Sequence, residues 1–234
     1  MNKTKLVISA TIFSVLGAPC YAGNSNPASV DYVHKYVQSQ IATIPITPTY
    51  IIGQHALGGI VFYVDITGMH GLVAANIGNF NSLTWDGGGT DFPVNATGNG
   101  IGAGTMNTSL IVSAQSALAA VNTETLSDMA AQVCVDYAVQ ADGQTLCAAP
   151  GTAGAPCYAD WYLPSLYELN QMFLQNSFLN MWPNSGDCAF FWSSTEDGTS
   201  SGQNAWRINV SIPIPNAFSV SKSAENGAWC IRSF

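Results

Sequence analysis

Charge is what this sequence has least of. Only 9% of its 234 residues are Asp, Glu, Lys or Arg, and just six are basic. Binding phosphates takes several Lys or Arg on one face, so this shortage excludes nucleic acid as a partner. Histidine is as scarce. His34, His55 and His70 stand alone, and no His-Glu-x-x-His motif, Ser-His-Asp order or phosphate-binding loop occurs. The cysteines lack the close paired spacing of a zinc site, so neither a metal nor a cofactor is expected. Beyond the first residues no apolar run approaches about 18, the length a membrane-spanning helix needs.

The first residues are different. Lys3 and Lys5 precede the apolar run "LVISATIFSVLGAP", and small Ala22 follows shortly after. That is the layout of a secretory signal peptide over 1–22, which places the protein outside the cell or on a bacterial surface. Cys20 raises the alternative of a lipid anchor, but Pro19 before it departs from the small residue a lipobox wants. Cleavage removes both leader lysines and no acid. It leaves four basic residues against fourteen acidic ones, a net charge of −10. Few charges with abundant Gly, Ser, Thr, Asn and aromatics describe a loop-rich extracellular domain.

Five cysteines follow the leader: Cys134, Cys147, Cys157, Cys188 and Cys230. Export favours disulfides, and an odd count leaves at least one cysteine without an internal partner. Cys147 and Cys157 flank the Gly/Pro-rich "AAPGTAGAP", a loop that a local bridge would close.

Periodicity divides the rest. In 29–44, Val30, Val33, Val37, Ile41 and Ile44 recur at spacings of three and four, giving a helix with one apolar stripe. Pro45 and Pro48 end it. A helix this short is marginal alone. Its β-branched seam favours self-association into a dimer or trimer; docking on its own domain is the alternative. Residues 23–48 therefore read as an oligomerising helix and hinge, and 49–234 as the globular head. "GIVFYV" and "GLVAA" around Gly68 predict a β-hairpin. Residues 78–108, rich in Gly, Asn and Thr, read as a long ordered loop that exposes Trp85. Helices are expected at 109–122 and 125–139, the latter with a cap-like start at Thr125 and Asp128. Ser165 and Glu168 form a capping-box pattern ahead of Leu166, Leu169 and Phe173, so Glu168 reads as a cap rather than a catalytic acid. From 188 onward "CAFFWSSTE", "NAWRINVSI", "NAFSVSK" and "AWCIRSF" predict a terminal antiparallel meander. Hairpin, helices, then strands make the class α+β.

Eight segments in fixed order, "GGIVFYVD", "HGLVAA", "AGTMNT", "AAQVCVDY", "DWYLPSLYEL", "FWSSTE", "AWRINV" and "WCIRSF", carry a resemblance spanning about 57–234. They resemble the C-terminal domain family of the Legionella collagen-like adhesin and related bacterial C-type-lectin-like domains of unknown function. The resemblance implies a looped antiparallel sheet with two to three helices and chain ends brought together. It further implies a bridge from Cys134 to Cys230, with Cys188 left over. Members of the adhesin group are surface or secreted proteins that trimerise and bind host glycosaminoglycans. This chain departs from them in having no Gly-X-Y stalk. Its basic residues after the leader are only Lys35, Arg207, Lys222 and Arg232, which disfavours a sulfated ligand.

The functional expectation is an adhesin-type binding domain for a host glycan or glycosaminoglycan. Sugar sites need aromatic faces with amides and hydroxyls beside them. Trp85 is the first candidate, followed by Trp192, Ser193, Ser194, Glu196, Asn204, Trp206 and Arg207. Calcium-dependent binding is not expected, because "WPN" (182–184) and "IPN" (214–216) lack the leading carboxylate or amide of a lectin calcium loop. "SGD" and "TEDGTS" remain as places for a weak structural ion. Two alternatives stand beside this reading. One is a structural or assembly protein of the cell surface that binds another protein. The other is an oxidase of the formylglycine-generating kind, which works through cysteines; no basic group flanks Cys188 to activate it, so the protein is read as non-enzymatic.

Overall fold

The apolar run "GIVFYV" meets "GLVAA" across a turn, and a computed structural model pairs them as expected. Strand β2 (Gly59–Val64) runs antiparallel to β3 (Gly71–Leu83), with Val64 opposite Gly71 and Ile60 opposite Ala74. The model describes residues 50–87, 92–122, 128–147, 156–179, 189–210 and 216–234. The chain divides into two compact units, Met1–Pro45 and Ile46–Phe234. The leader, the 29–44 helix, Thr125, "SGD", "WPN", the Ile and Pro of "IPN", and Cys188 lie outside the described residues.

Strands β1 (His55–Ala56), β6 (Phe190–Glu196), β7 (Asn204–Asn209), β8 (Asn216–Ser221) and β9 (Asn226–Ser233) complete a seven-stranded sheet in the order β1-β2-β3-β9-β6-β7-β8. Strands β4 (Val139–Gln140) and β5 (Cys157–Tyr158) form a separate pair. The architecture is α+β with a mostly antiparallel sheet. The terminal meander holds for β6, β7 and β8 only. The last strand, β9, instead lies between β3 and β6, antiparallel to the first and parallel to the second. Seven of its eight residues are buried, and such a strand belongs at the centre of a sheet. Half-buried β8 takes the edge.

Helix α1 (Ala103–Asn122) starts six residues earlier than its Ala/Leu pattern suggests, and β3 reaches Leu83, so the expected loop 78–108 is shorter at both ends. Two register shifts in β3, between Ala74 and Asn79 and between Phe80 and Leu83, break the strand alternation and disguise it as loop. The early helix start has a tertiary cause, the carboxylate of Glu168 described below. Helix α2 (Ala130–Asp136) is shorter than 125–139. Its N-cap is Met129, which gives no side-chain cap, and the Asp128 carbonyl instead accepts from Thr84 N–H. Helix α3 (Leu166–Leu174) carries the full capping box: Ser165 Oγ accepts from Glu168 N–H, and the Glu168 carboxylate accepts from Ser165 N–H. A one-turn helix, α4 (Asn176–Leu179), follows.

Among the described residues two disulfides close the unit. Cys134 in α2 is bonded to Cys230 in β9, 96 residues away, and Cys147 is bonded to Cys157. Both pairings match expectation, and both fit an oxidising extracellular compartment. No helix among the described residues is long and apolar enough to cross a membrane. The C-terminus returns to the start: Phe234 exchanges backbone hydrogen bonds with Gly71, and its ring lies 4.8 Å from that of Tyr50.

Candidate ligand-binding face

The sequence candidates separate into an inner set and an outer set. Trp85, Trp192, Ser193, Ser194 and Glu196 are inside. Trp85 was expected to be exposed because Gly, Asn and Thr surround it, yet it is 0% exposed. Its indole N–H donates to the Ser193 carbonyl at 2.8 Å, and that of Trp192 to the Leu83 carbonyl at 2.9 Å. A large aromatic whose one polar atom finds a backbone partner is core material. Neither indole offers a stacking face.

Glu196 is held with them. Its carboxylate accepts from Val94 N–H (2.9 Å), Asn95 N–H (2.6 Å) and the Lys222 ammonium (2.6 Å). Lys222, fully buried, also donates to the Phe92 carbonyl and lies 4.5 Å from the Trp85 ring centroid. A buried carboxylate is tolerable only when paired and hydrogen-bonded, and here it is both. Glu196 therefore anchors the segment after Phe92 rather than meeting a ligand.

A second buried carboxylate continues the same work. Beyond its capping box, Glu168 accepts from Gly102 N–H, Gly104 N–H and the Tyr162 hydroxyl. One side chain thus serves the N-termini of both α1 and α3. Burial, and then the adjacent Glu168 charge, push the Tyr162 phenol far up, so it stays protonated as a donor. Thr195 Oγ1 donates to Gly98 O, Ser165 Oγ to Gly100 O, and Asn107 exchanges two hydrogen bonds with Gly98. The segment 94–104 is fixed from below along most of its length.

Asn204, Trp206 and Arg207 make the outer set, and all three lie on β7. Alternation along a strand puts Asn204 and Trp206 on one face and Arg207 on the other. Arg207 is half-buried on its face, its guanidinium carbon 4.1 Å from the Phe190 ring centroid and 6.0 Å from that of Phe218, and it donates to Asn226. On the opposite face Trp206 is half-buried and pairs directly with Ser219 of β8, while Asn204 pairs with Ser221. Cross-strand partners share a face. Ser219 donates its hydroxyl to Asp197, which also accepts from Thr199. Those hydrogen bonds, from Ser219 and then Thr199, hold the Asp197 carboxyl below the usual carboxylate range. One indole, one amide, two serines and a carboxylate therefore share a small face. Neither a protein-family model nor a curated protein matches the chain. The reading of this face rests on its own chemistry.

That chemistry is neutral apart from one ionised aspartate. The cations among the described residues are each engaged internally: Lys222 with Glu196, Arg207 with Asn226 and two phenyl rings, and Arg232 with Asp160 through a two-point contact (2.7 and 2.9 Å). Among the described residues no group of three His, Cys, Asp or Glu side chains is placed to hold a metal ion. "TEDGTS" runs from the end of β6 into a turn closed by Asp197 on Thr199. Sequence reasoning missed Ser219, Ser221 and Asp197 as neighbours of Trp206, and Lys222 as the partner of Glu196. The first two were signalled in "NAFSVSK", where serine alternates with Phe218 and Val220 and so marks one face of a strand. Lys222 gave no local sign.

Proposed function

We propose that this chain is an exported, non-enzymatic binding domain of adhesin type with a C-type-lectin-like head, and that its Trp206 face takes a neutral host or surface glycan. One observation carries the reading: half-buried Trp206 shares a strand face with Asn204, Ser219 and Ser221, and buried Asp197 fixes the Ser219 hydroxyl. An apolar ring face stacks against sugar C–H groups, while amides and hydroxyls orient sugar hydroxyls. The lectin-like reading is supported by the return of Phe234 to Tyr50 and Gly71 and by a helix tied to the last strand through Cys134 and Cys230. A sulfated ligand is disfavoured because Lys222, Arg207 and Arg232 are already engaged and the net charge is negative.

The test is a glycan array carrying neutral and sulfated members, probed with wild type, Trp206→Ala and Arg207→Ala. Trp206→Ala lowers the signal on a neutral glycan at least tenfold, with an unchanged circular dichroism spectrum. Arg207→Ala, on the other face, keeps it. Undiminished binding by Trp206→Ala refutes the site.

A further inference from the structure

We propose that the end of the head bearing Ile51, Ile52, Ile66 and Met69 is a self-association surface, and that its occupant is the same surface on a second copy of this chain. Ile66 is completely exposed (104%), with Ile51 at 63%, Met69 at 61% and Ile52 at 38%. Scattered exposed apolar residues need no explanation, but a contiguous group marks an interaction site.

Three contacts place the four residues at one end. Val64 pairs with Gly71, so the turn holding Ile66 and Met69 caps the β2–β3 hairpin. Gly71 is hydrogen-bonded to Phe234, whose ring packs on Tyr50. Gly53 N–H donates to the Val61 carbonyl and Gln54 N–H to the Ile51 carbonyl, so Ile51 and Ile52 lie in a turn between Tyr50 and the β2 edge at Val61. The turn itself is closed. Asp65 N–H donates to the His70 carbonyl at 2.8 Å, and the Asp65 carboxylate accepts from the Thr67 amide and hydroxyl. The hydrogen bond from the Thr67 side chain holds the Asp65 carboxyl low. Turn tips are ordinarily Gly, Asn, Asp or Ser. Here a fixed turn holds an isoleucine and a methionine outward.

Chain continuity identifies the occupant. From Tyr50 the chain runs back through five residues, 45–49, to the stripe ending at Ile44. Five residues reach at most about 17 Å. Copies associating through that stripe would tether their heads at Tyr50, at an effective concentration in the millimolar range. Weak apolar contacts between the tethered ends would then be made. The proposal rests on the self-association reading of 29–44. Membrane insertion is the competing use of an apolar tip. It is disfavoured because no Lys or Arg lies in 50–71 to meet anionic lipid, and the chain as a whole is negative.

The experiment uses the chain from residue 23 in a Cys188→Ser background, with sedimentation equilibrium followed by a short bismaleimide crosslinker. Ile66→Cys gives covalent multimers. Leu146→Cys, exposed beside the Cys147–Cys157 bridge, gives none, because the Val139–Leu146 bridge sits at the Gly58 end of β2, about 20 Å from the turn. Ile66→Asp with Met69→Asp weakens self-association at least tenfold. A monomer at all concentrations overturns the 29–44 reading and the proposal with it. An oligomer without an Ile66 crosslink, or with unchanged affinity in the double variant, overturns the proposal alone. Co-sedimentation with neutral phosphatidylcholine vesicles in place of crosslinking assigns the end to lipid and overturns it too.

Discussion

Replacing Lys222 with methionine removes the cation from a fully buried ion pair while preserving much of the volume. The Glu196 carboxylate keeps its two amide donors, Val94 and Asn95, but loses the ammonium at 2.6 Å, and the Phe92 carbonyl loses its donor. Stranding one partner of a buried pair costs about 3–5 kcal/mol. The lost contact to the Trp85 face overlaps with that figure rather than adding to it. For a domain with a total stability of about 5–15 kcal/mol, Lys222→Met is a severe lesion. Glu196→Gln in the same chain removes the stranded charge and leaves a side chain whose carbonyl still accepts from one of the two amides, Val94 or Asn95, at the expense of the other. The double variant should therefore regain about 2–3 kcal/mol over the sum of the singles. Equilibrium urea unfolding, followed by tryptophan fluorescence in a four-membered cycle, reads the coupling. Amide exchange at Val94 and Asn95 should speed up in Lys222→Met before global unfolding does. A loss below about 1 kcal/mol, or strictly additive singles, refutes the assignment of this pair as the anchor of the 92–96 segment.

Other outcomes follow from the same contacts. Removing the Cys134–Cys230 bridge by paired alanines should cost about 4.7 kcal/mol in the chain-entropy treatment, against roughly 2.7 kcal/mol for the ten-residue Cys147–Cys157 loop, so the two double variants should differ clearly in urea midpoint. Gly104→Ala places a methyl 2.5 Å from Glu168 Oε2 and 2.8 Å from the Leu163 carbonyl; it should destabilise by about 1–3 kcal/mol in thermal melts, whereas Gly100→Ala, with open space around it, should cost less. Asp197 has its folded-state pKa below its unfolded value. Its contribution is present above about pH 3.9 and lost as pH falls through the lower folded value, so Ser219→Ala should lessen the acid sensitivity of the wild type below pH 4 and leave the behaviour between pH 5 and 7 unchanged.

Local grammar made part of this molecule legible. The capping box of Ser165 and Glu168, the hairpin around Gly68 and the short Cys147–Cys157 loop depend on residues near in sequence, and all are present. Distant partners were not legible. Glu168 reads as a cap for α3 from its spacing, but its hold on Gly102 and Gly104 depends on a contact across more than 60 residues. Trp85 looked exposed because its neighbours are small and polar, while its burial is decided by Ser193, 108 positions on, and by Lys222. The central place of β9 follows from burial of both its faces, which no single segment reveals. Within the site, alternation alone separates Trp206 from Arg207. Which of the two faces carries the serines and the aspartate needed the β7–β8 register.

The salt dependence of ligand binding tests the central claim most directly. Affinity for the strongest array ligand should be measured by calorimetry at about 20 mM and about 500 mM salt, where the screening length falls from roughly 20 Å to about 4 Å. A neutral glycan bound on the Trp206 face predicts a dissociation constant that changes by less than about twofold. A ligand that binds only at low salt and is lost at high salt would contradict that account, since it would mean that ionic contacts to a sulfated polymer carry the recognition.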